Sequence, residues 1–289
     1  MRQQGVGADG YLHYIPLHEK QQTLTILYNI KHIVPLFAAV LLFAASCQKA
    51  DDIQPIIPAT PPETDTVLPS DPVPALFSIG EGMQVRFAPG NLRYTRGIWH
   101  FSENQTDNHI PYSNDNCDLF NWSTTSTNWG QESSIDEQDY ENPFVDWGTN
   151  PDIVATYGDG WRVLEVSEWS YLLEDRLVDG QAGEGHSWIA ACIDGQYGII
   201  LYPDGYTQQT TTLGIIPDSC VFLPAEGCRN GNLIFDRNVI GYYWSATTTH
   251  CPTGAAYIKY HQSNSSTLFV FNNDITEQGY SVRLVRDVY

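Results

Sequence analysis

The sequence predicts an α+β fold built mainly from antiparallel strands, and three observations point to it. Aromatic residues make up 12% of the chain, with eight Trp and seventeen Tyr, and such rings favour strands and contact surfaces. Several short runs alternate apolar and polar residues in the two-residue period of a half-buried strand. One stretch carries the 3.6-residue period of a clear helix.

The elements follow in order. Met83–Phe87 (MQVRF) alternates as a strand, and Leu92–Phe101 (LRYTRGIWHF) reads as a hairpin turning at Arg96-Gly97. Ser102–Asp159 is rich in Asn, Ser, Thr, Asp and Trp and has little periodicity. It is far longer than an ordinary connection, so it predicts long ordered loops. In Glu165–Leu177 (EVSEWSYLLEDRL), Trp169, Leu172, Leu173 and Leu177 form one apolar stripe for the core. Trp188–Leu201 holds two apolar runs joined at Asp194-Gly195, a hairpin signal. Tyr242–Ser245, Ala256–Tyr260, Leu268–Phe271 and Tyr280–Val285 all alternate as strands. No linker interrupts the pattern after Leu76, so residues 76–289 read as one domain.

The N-terminal quarter has a different character. Ile33–Ala45 (IVPLFAAVLLFAA) is apolar and uncharged, too short for an ordinary membrane span but matched to the core of a secretory signal, with Lys31 as its positive flank. Ala44-Ala45-Ser46-Cys47 follows and resembles a lipobox, with Ala44 where Leu usually sits and Phe43 one place earlier. Residues 1–46 are thus expected to be a lipoprotein signal segment, with Cys47 as the lipidated residue. The leader before Ile33 is long and carries both signs of charge, which fits either an early start codon or an atypical leader. After Cys47, Gln-Lys-Ala-Asp-Asp resembles the acidic export signal of Bacteroidetes lipoproteins that reach the outer face of the outer membrane; a chance pair of acids in a solvated tail reads equally well. Residues 47–75 form a Pro-rich stalk, extended to roughly 80 Å as polyproline II, that would hold a domain off the membrane. Within it, Asp65-Thr66-Val67 resembles a Bacteroidetes O-glycosylation acceptor.

Composition bounds the function classes. With 42% hydrophobic and 17% charged residues, the chain can fill a core. Its net charge is −20; residues 1–46 hold three cations against two acids, so residues 47–289 carry −21. That field repels phosphate backbones, which argues against a nucleic-acid partner. It also serves solubility in a crowded envelope. With Cys47 lipidated, Cys117, Cys192, Cys220, Cys228 and Cys251 remain, an odd number without zinc-ligand spacing. Small buried thiols are the plain reading. One disulfide, Cys220 with Cys228, is allowed and not demanded.

Three segments carry a resemblance. Gly160-Trp161-Arg162-Val163-Leu164 with Glu168-Trp169 resembles the GWRLPT…EW segment of formylglycine-generating and related C-type-lectin-like domains. Leu223-Pro224-Ala225-Glu226-Gly227, Arg229-Asn230-Gly231 and Tyr242-Tyr243-Trp244-Ser245-Ala246 resemble LPAAGYRNG…GYYWSST. Gly279–Asp287 resembles GFSVRLVRD. Together they resemble the Fibrobacter succinogenes major paralogous domain family over roughly Phe77–Tyr289, which implies a C-type-lectin-like fold and no established activity for most members. Glu165 departs from that pattern by standing where Thr usually starts the helix, and it caps less well. The same motifs have a structural reading. Arg162, Arg229, Arg283 and Arg286 with Glu168 and Asp287 would form buried ion pairs, and Trp161 and Trp244 would be core rings.

No catalytic constellation stands out. There is no Ser/His/Asp signature, nucleotide loop or HExxH helix. The resemblance to cysteine-oxidising relatives would need a thiol pair, for which Cys228 and Cys251 are the candidates, without the surrounding motif. Calcium wants several oxygen ligands, and Asn272-Asn273-Asp274 is the one loose match, equally a polar turn. Asp136/Glu137 and Glu174/Asp175 read as solvated faces, and His186, His250 and His261 are scattered. The expectation is therefore a non-enzymatic binding or structural module on the outer-membrane surface, anchored by lipid, with no cofactor and no metal. The alternative is an enzyme derived from the formylglycine-generating scaffold. The ligand, glycan or protein, would meet Trp122, Trp129 and Trp147, whose rings suit sugar faces while neighbouring Asn, Ser and Thr bond hydroxyls. The competing reading makes these three rings the core of a loop-heavy fold.

Overall fold

Alternation places the strands where the residues require. In MQVRF, Val85 and Phe87 are buried while Gln84 and Arg86 are partly exposed, the pattern of a strand with one face on a core. The computed structural model describes residues 72–107, 109–207, 214–248, 255–261, 270–272 and 276–289, all within a unit spanning Pro62–Tyr289. The signal segment, Cys47 and the stalk to residue 71 lie outside the described residues.

The described elements run as follows. Strands β1 (Phe77–Gly80) and β2 (Met83–Phe87) form a hairpin, as do β3 (Leu92–Thr95) and β4 (Ile98–Phe101). The turn between β3 and β4 puts Arg96 at φ 53° and Gly97 at φ 86°, the two positive φ values that let a two-residue turn match strand twist. After β5 (Asn116–Cys117) comes helix α1 (Pro151–Tyr157), then β6 (Trp161–Arg162) and helix α2 (Val166–Ser170). A π-helical turn, Tyr171–Asp175, continues α2. Strands β7 (Trp188–Ile193) and β8 (Gln196–Leu201) make the second expected hairpin, with Asp194 and Gly195 both at positive φ. The remainder is β9 (Val221–Pro224), β10 (Cys228–Asn230), β11 (Leu233–Phe235), β12 (Ile240–Thr248), β13 (Ala255–His261), β14 (Val270–Asn272), β15 (Gln278–Gly279) and β16 (Val285–Val288).

These strands form small antiparallel sheets of three or four strands. The four-stranded sheet has the order β1-β2-β16-β6, so the last strand sits between early ones, with Arg286 opposite Arg86 and Val285 opposite both Phe87 and Arg162. The architecture is α+β with antiparallel pairing dominant, as the sequence predicted.

Several expectations need correction. Trp169, Leu172 and Leu173 are fully buried, but Leu177 is 62% exposed. The helical run ends at Asp175, and Arg176 takes an extended ψ of 127°, so Leu177 leaves the stripe. Helix α1 lies inside the stretch read as loop. Asn150 starts it by accepting the Asp152 N–H at 3.0 Å, Pro151 occupies the first turn, and Gly158 at φ 81° ends it. Among the described residues from 102 to 146 the chain is otherwise irregular apart from β5 and a 3₁₀ turn. Tyr280 and Ser281 make only single bridges, to Phe120 and Tyr243, before β16 begins. Leu268 and Phe269 lie outside the described residues.

The chain packs before Leu76. Val73 is buried and its N–H donates to the Phe87 carbonyl at 2.8 Å. The Arg86 guanidinium donates to the Pro74 carbonyl.

Candidate functional site

A loop without a ladder of backbone bonds must be held by side chains, and this sets the fate of its tryptophans. Trp122, Trp129 and Trp147 are 2%, 5% and 0% exposed. Trp122 stacks on Phe144 at 4.4 Å and leans on Trp244 at 5.1 Å, while Trp147 Nε1 donates to the Trp129 carbonyl at 2.6 Å. The rings fill an aromatic core under the loop. The expectation of a ring-lined contact face at these three residues is corrected, because burial of that much apolar area outweighs display.

Although many of the loop's polar side chains are exposed, buried polar groups tie it down from inside. Arg229 Nε donates to the Leu119 carbonyl at 2.8 Å, and its other nitrogens reach the carbonyls of Gly231 and Glu132 and the Asn121 side chain. Its guanidinium also lies 4.4 Å from the Tyr112 ring centre. Asn121 Nδ2 bonds the Glu277 carbonyl at 2.8 Å. Of the expected ion pairs, only Arg162 forms one, gripping both Glu168 (2.7 Å) and Asp287 (2.7 Å). Arg229 and Arg286 bind carbonyls, Arg286 through Tyr157 at 2.7 Å while stacked on Trp161. Arg283 binds Gln105 and Asn91 side chains. Neutral backbone and amide oxygens bind a buried guanidinium without a second buried charge, which is why carboxylates were not required. Trp161 and Trp244 are core rings, as expected.

Behind this loop lies a buried polar cluster. Glu226 Oε2 accepts from Asn91 Nδ2 and from the Ser281 hydroxyl, both at 2.8 Å, and Arg93 stands 3.9 Å from Oε1. Burial, reinforced by Asp118, pushes the Glu226 carboxyl above the ordinary range. Asp118 lies 2.7 Å from His109 Nδ1 and accepts the Ile110 N–H at 2.6 Å. Arg283, fully buried, is drawn down to about 10 by desolvation. Its NH2 donates to Gln105 Oε1 at 3.0 Å. Gln105 also accepts the Phe222 N–H and donates to the Cys220 carbonyl, so it plugs the cluster from outside.

The outer side of that plug faces a cleft of about 640 Å³. Its walls are the entering chain at Pro72–Pro74, Pro89, the 103–106 loop, the β7–β8 turn at Ile193 and Asp194, and residues 214–216. The loop is stiffened by Asp107, which accepts from the Asn104 N–H and Nδ2, each at 3.0 Å. Neither Glu103 nor Asp194 has a hydrogen bond or ion pair among the described residues. Sequence reasoning missed this cleft, because its walls come from five separate segments. Glu226 could have been noticed as an acid inside the apolar run Leu223–Gly227.

The remaining candidates are dispersed. Cys117, Cys220 and Cys228 are free and buried, and Cys192 is free and exposed. The allowed Cys220–Cys228 bridge is therefore not formed. Burial raises the Cys228 thiol to about 11, which keeps it protonated at neutral pH; Cys251 lies outside the described residues. Asp136 caps a 3₁₀ turn by accepting the Gln138 N–H at 3.1 Å, while Glu137, Glu174 and Asp175 are exposed. His186 pairs with Asp179 at 3.2 Å, His261 is exposed, and His250, Asn273 and Asp274 lie outside the described residues. Among the described residues no three of His, Cys, Asp and Glu converge to hold a metal.

No protein-family model matches the chain, and no curated protein or solved structure matches it.

Proposed function

We propose that the chain is an envelope lipoprotein, anchored through lipid on Cys47, whose C-type-lectin-like domain binds a partner in the cleft walled by the 103–106 loop and the β7–β8 turn. It displays a binding module on the outer-membrane surface and does not catalyse. One observation carries the reading: Gln105, bonded to the buried Arg283, stands between the polar cluster and an open cleft whose partly apolar wall carries two carboxylates, Glu103 and Asp194, unpaired among the described residues. Ligand sites are usually concave, largely apolar and preformed. The signal-like run, the lipobox-like Cys47 and the stalk support display away from a membrane.

The test uses the full chain. Cys47→Ser should shift the protein from the membrane fraction to the soluble or unprocessed pool; unchanged membrane attachment removes the anchor assignment. Wild type and Ile215→Ser are then compared on glycan and peptide arrays. Ile215 is 58% exposed, so its replacement leaves folding intact. Loss of the wild-type signals in that variant supports the cleft, and signals that all survive place binding elsewhere.

A further inference from the structure

We infer that this cleft accepts an extended segment of a partner protein that carries an aliphatic or proline side chain next to a lysine or arginine. The inference rests on the cleft being the binding site and goes on to name its occupant. The lining decides between sugar and peptide. Sugar faces stack on aromatic rings, and among the described residues no Trp, Tyr or Phe lines this cleft. Its accessible apolar wall is instead Pro89, Ile215 and Ile216 over the buried Ile193, a surface for aliphatic and proline side chains.

The charges decide the sign of the partner. Among the described residues, Glu103 and Asp194 are the ionisable ones lining the cleft, both exposed and both without a hydrogen bond or ion pair there, and no described Lys, Arg or His lines it. A lysine or arginine can lay its methylene stem on the isoleucines while its cationic head reaches these carboxylates. The chain's net charge of −20 steers such a segment inward. The same charge argues against two other occupants. The stalk of this chain holds Asp51, Asp52, Glu63, Asp65 and Asp71 against Lys49, and a second copy carries the same negative field. The Asp107-braced loop means that little order must be created on binding.

The experiment follows fluorescence anisotropy of the full chain in detergent micelles with three labelled peptides, acetyl-Pro-Ile-Lys-Pro-Arg-amide and its versions with Gln or Glu at both charged positions. Maltohexaose serves as a neutral sugar competitor. The cationic peptide should bind about fivefold to tenfold tighter than the Gln peptide, since two exposed ion pairs contribute on that scale. The difference should shrink when salt rises from about 50 to 500 mM. The double variant Glu103→Gln/Asp194→Asn should keep its melting temperature and lose the preference. Equal affinity for cationic and neutral peptides, a preference that survives the double variant, or no peptide binding at 1 mM overturns the inference. If maltohexaose binds and Ile215→Ser abolishes that binding, the cleft reading stands and the peptide inference falls. If Ile215→Ser changes no probe's binding, both fall.

Discussion

Glu132 shows how one side chain can work against the fold that contains it. Its Oε2 is buried without a hydrogen-bond partner among the described residues, and burial raises its carboxyl above the ordinary value of 4.5. The nearby Arg229 only partly offsets this. An acid whose pKa is raised on folding is protonated more readily in the folded chain. Its penalty is therefore absent below about pH 4.5 and grows as pH rises through the folded value. Glu132→Gln should raise the melting temperature by about 2 °C at pH 7, and the gain should vanish near pH 4. A gain that persists at pH 4 contradicts the assignment. Residue chemistry of this kind was only half legible in the sequence. The type of Glu132, Glu226 or Trp147 could be read directly. Whether a side chain faced water often depended on distant partners, such as Leu119 for Arg229 or Asn91 for Glu226, each more than a hundred residues away.

Elements were most legible where local sterics dictate them. The turns at Arg96-Gly97 and Asp194-Gly195 demand positive φ, and both hairpins form at those positions. Helix α1 went unread although Asn150-Pro151 is a start signal, because a seven-residue helix that buries Ile153 and Tyr157 leaves too short a stripe to register as a period. The start of α2 departs from the Thr expected there in a way that the structure explains. Thr247, from β12, accepts the Val166 N–H at 2.9 Å and donates to the Glu165 carboxylate. Glu168 closes the turn by accepting the Glu165 N–H at 2.7 Å. The cap is thus shared between the local Glu165–Glu168 capping box and a hydroxyl 82 residues away. Thr247→Val should lower stability by about 1 kcal/mol in chemical denaturation, and Thr247→Ser should restore most of it. Equal stability of Val and Ser variants would show that the hydroxyl contributes nothing.

At the scale of the whole molecule, the domain edge is set by packing and not by composition. The Pro-rich character runs to Ala75, yet Val73 is buried and hydrogen-bonded to Phe87. Limited proteolysis of the full chain should therefore stop short of Pro72 and leave a fragment that includes Val73. A chain starting at Leu76 should be less stable by about 1–2 kcal/mol, the loss from one buried aliphatic side chain. Trimming to Leu76 with no change in melting temperature would contradict this. Fold class was legible because patterning is local. Sheet order was not, since β16 enters between β2 and β6 from the far end of the chain. That insertion decides when the sheet is complete. β1 covers one edge of β2 and β16 the other, so until residues 285–288 take their place β2 presents an open row of backbone donors and acceptors. The sheet is a clasp whose hook and catch lie far apart along the string, and removing residues 285–288 leaves a free edge that a second chain can grasp.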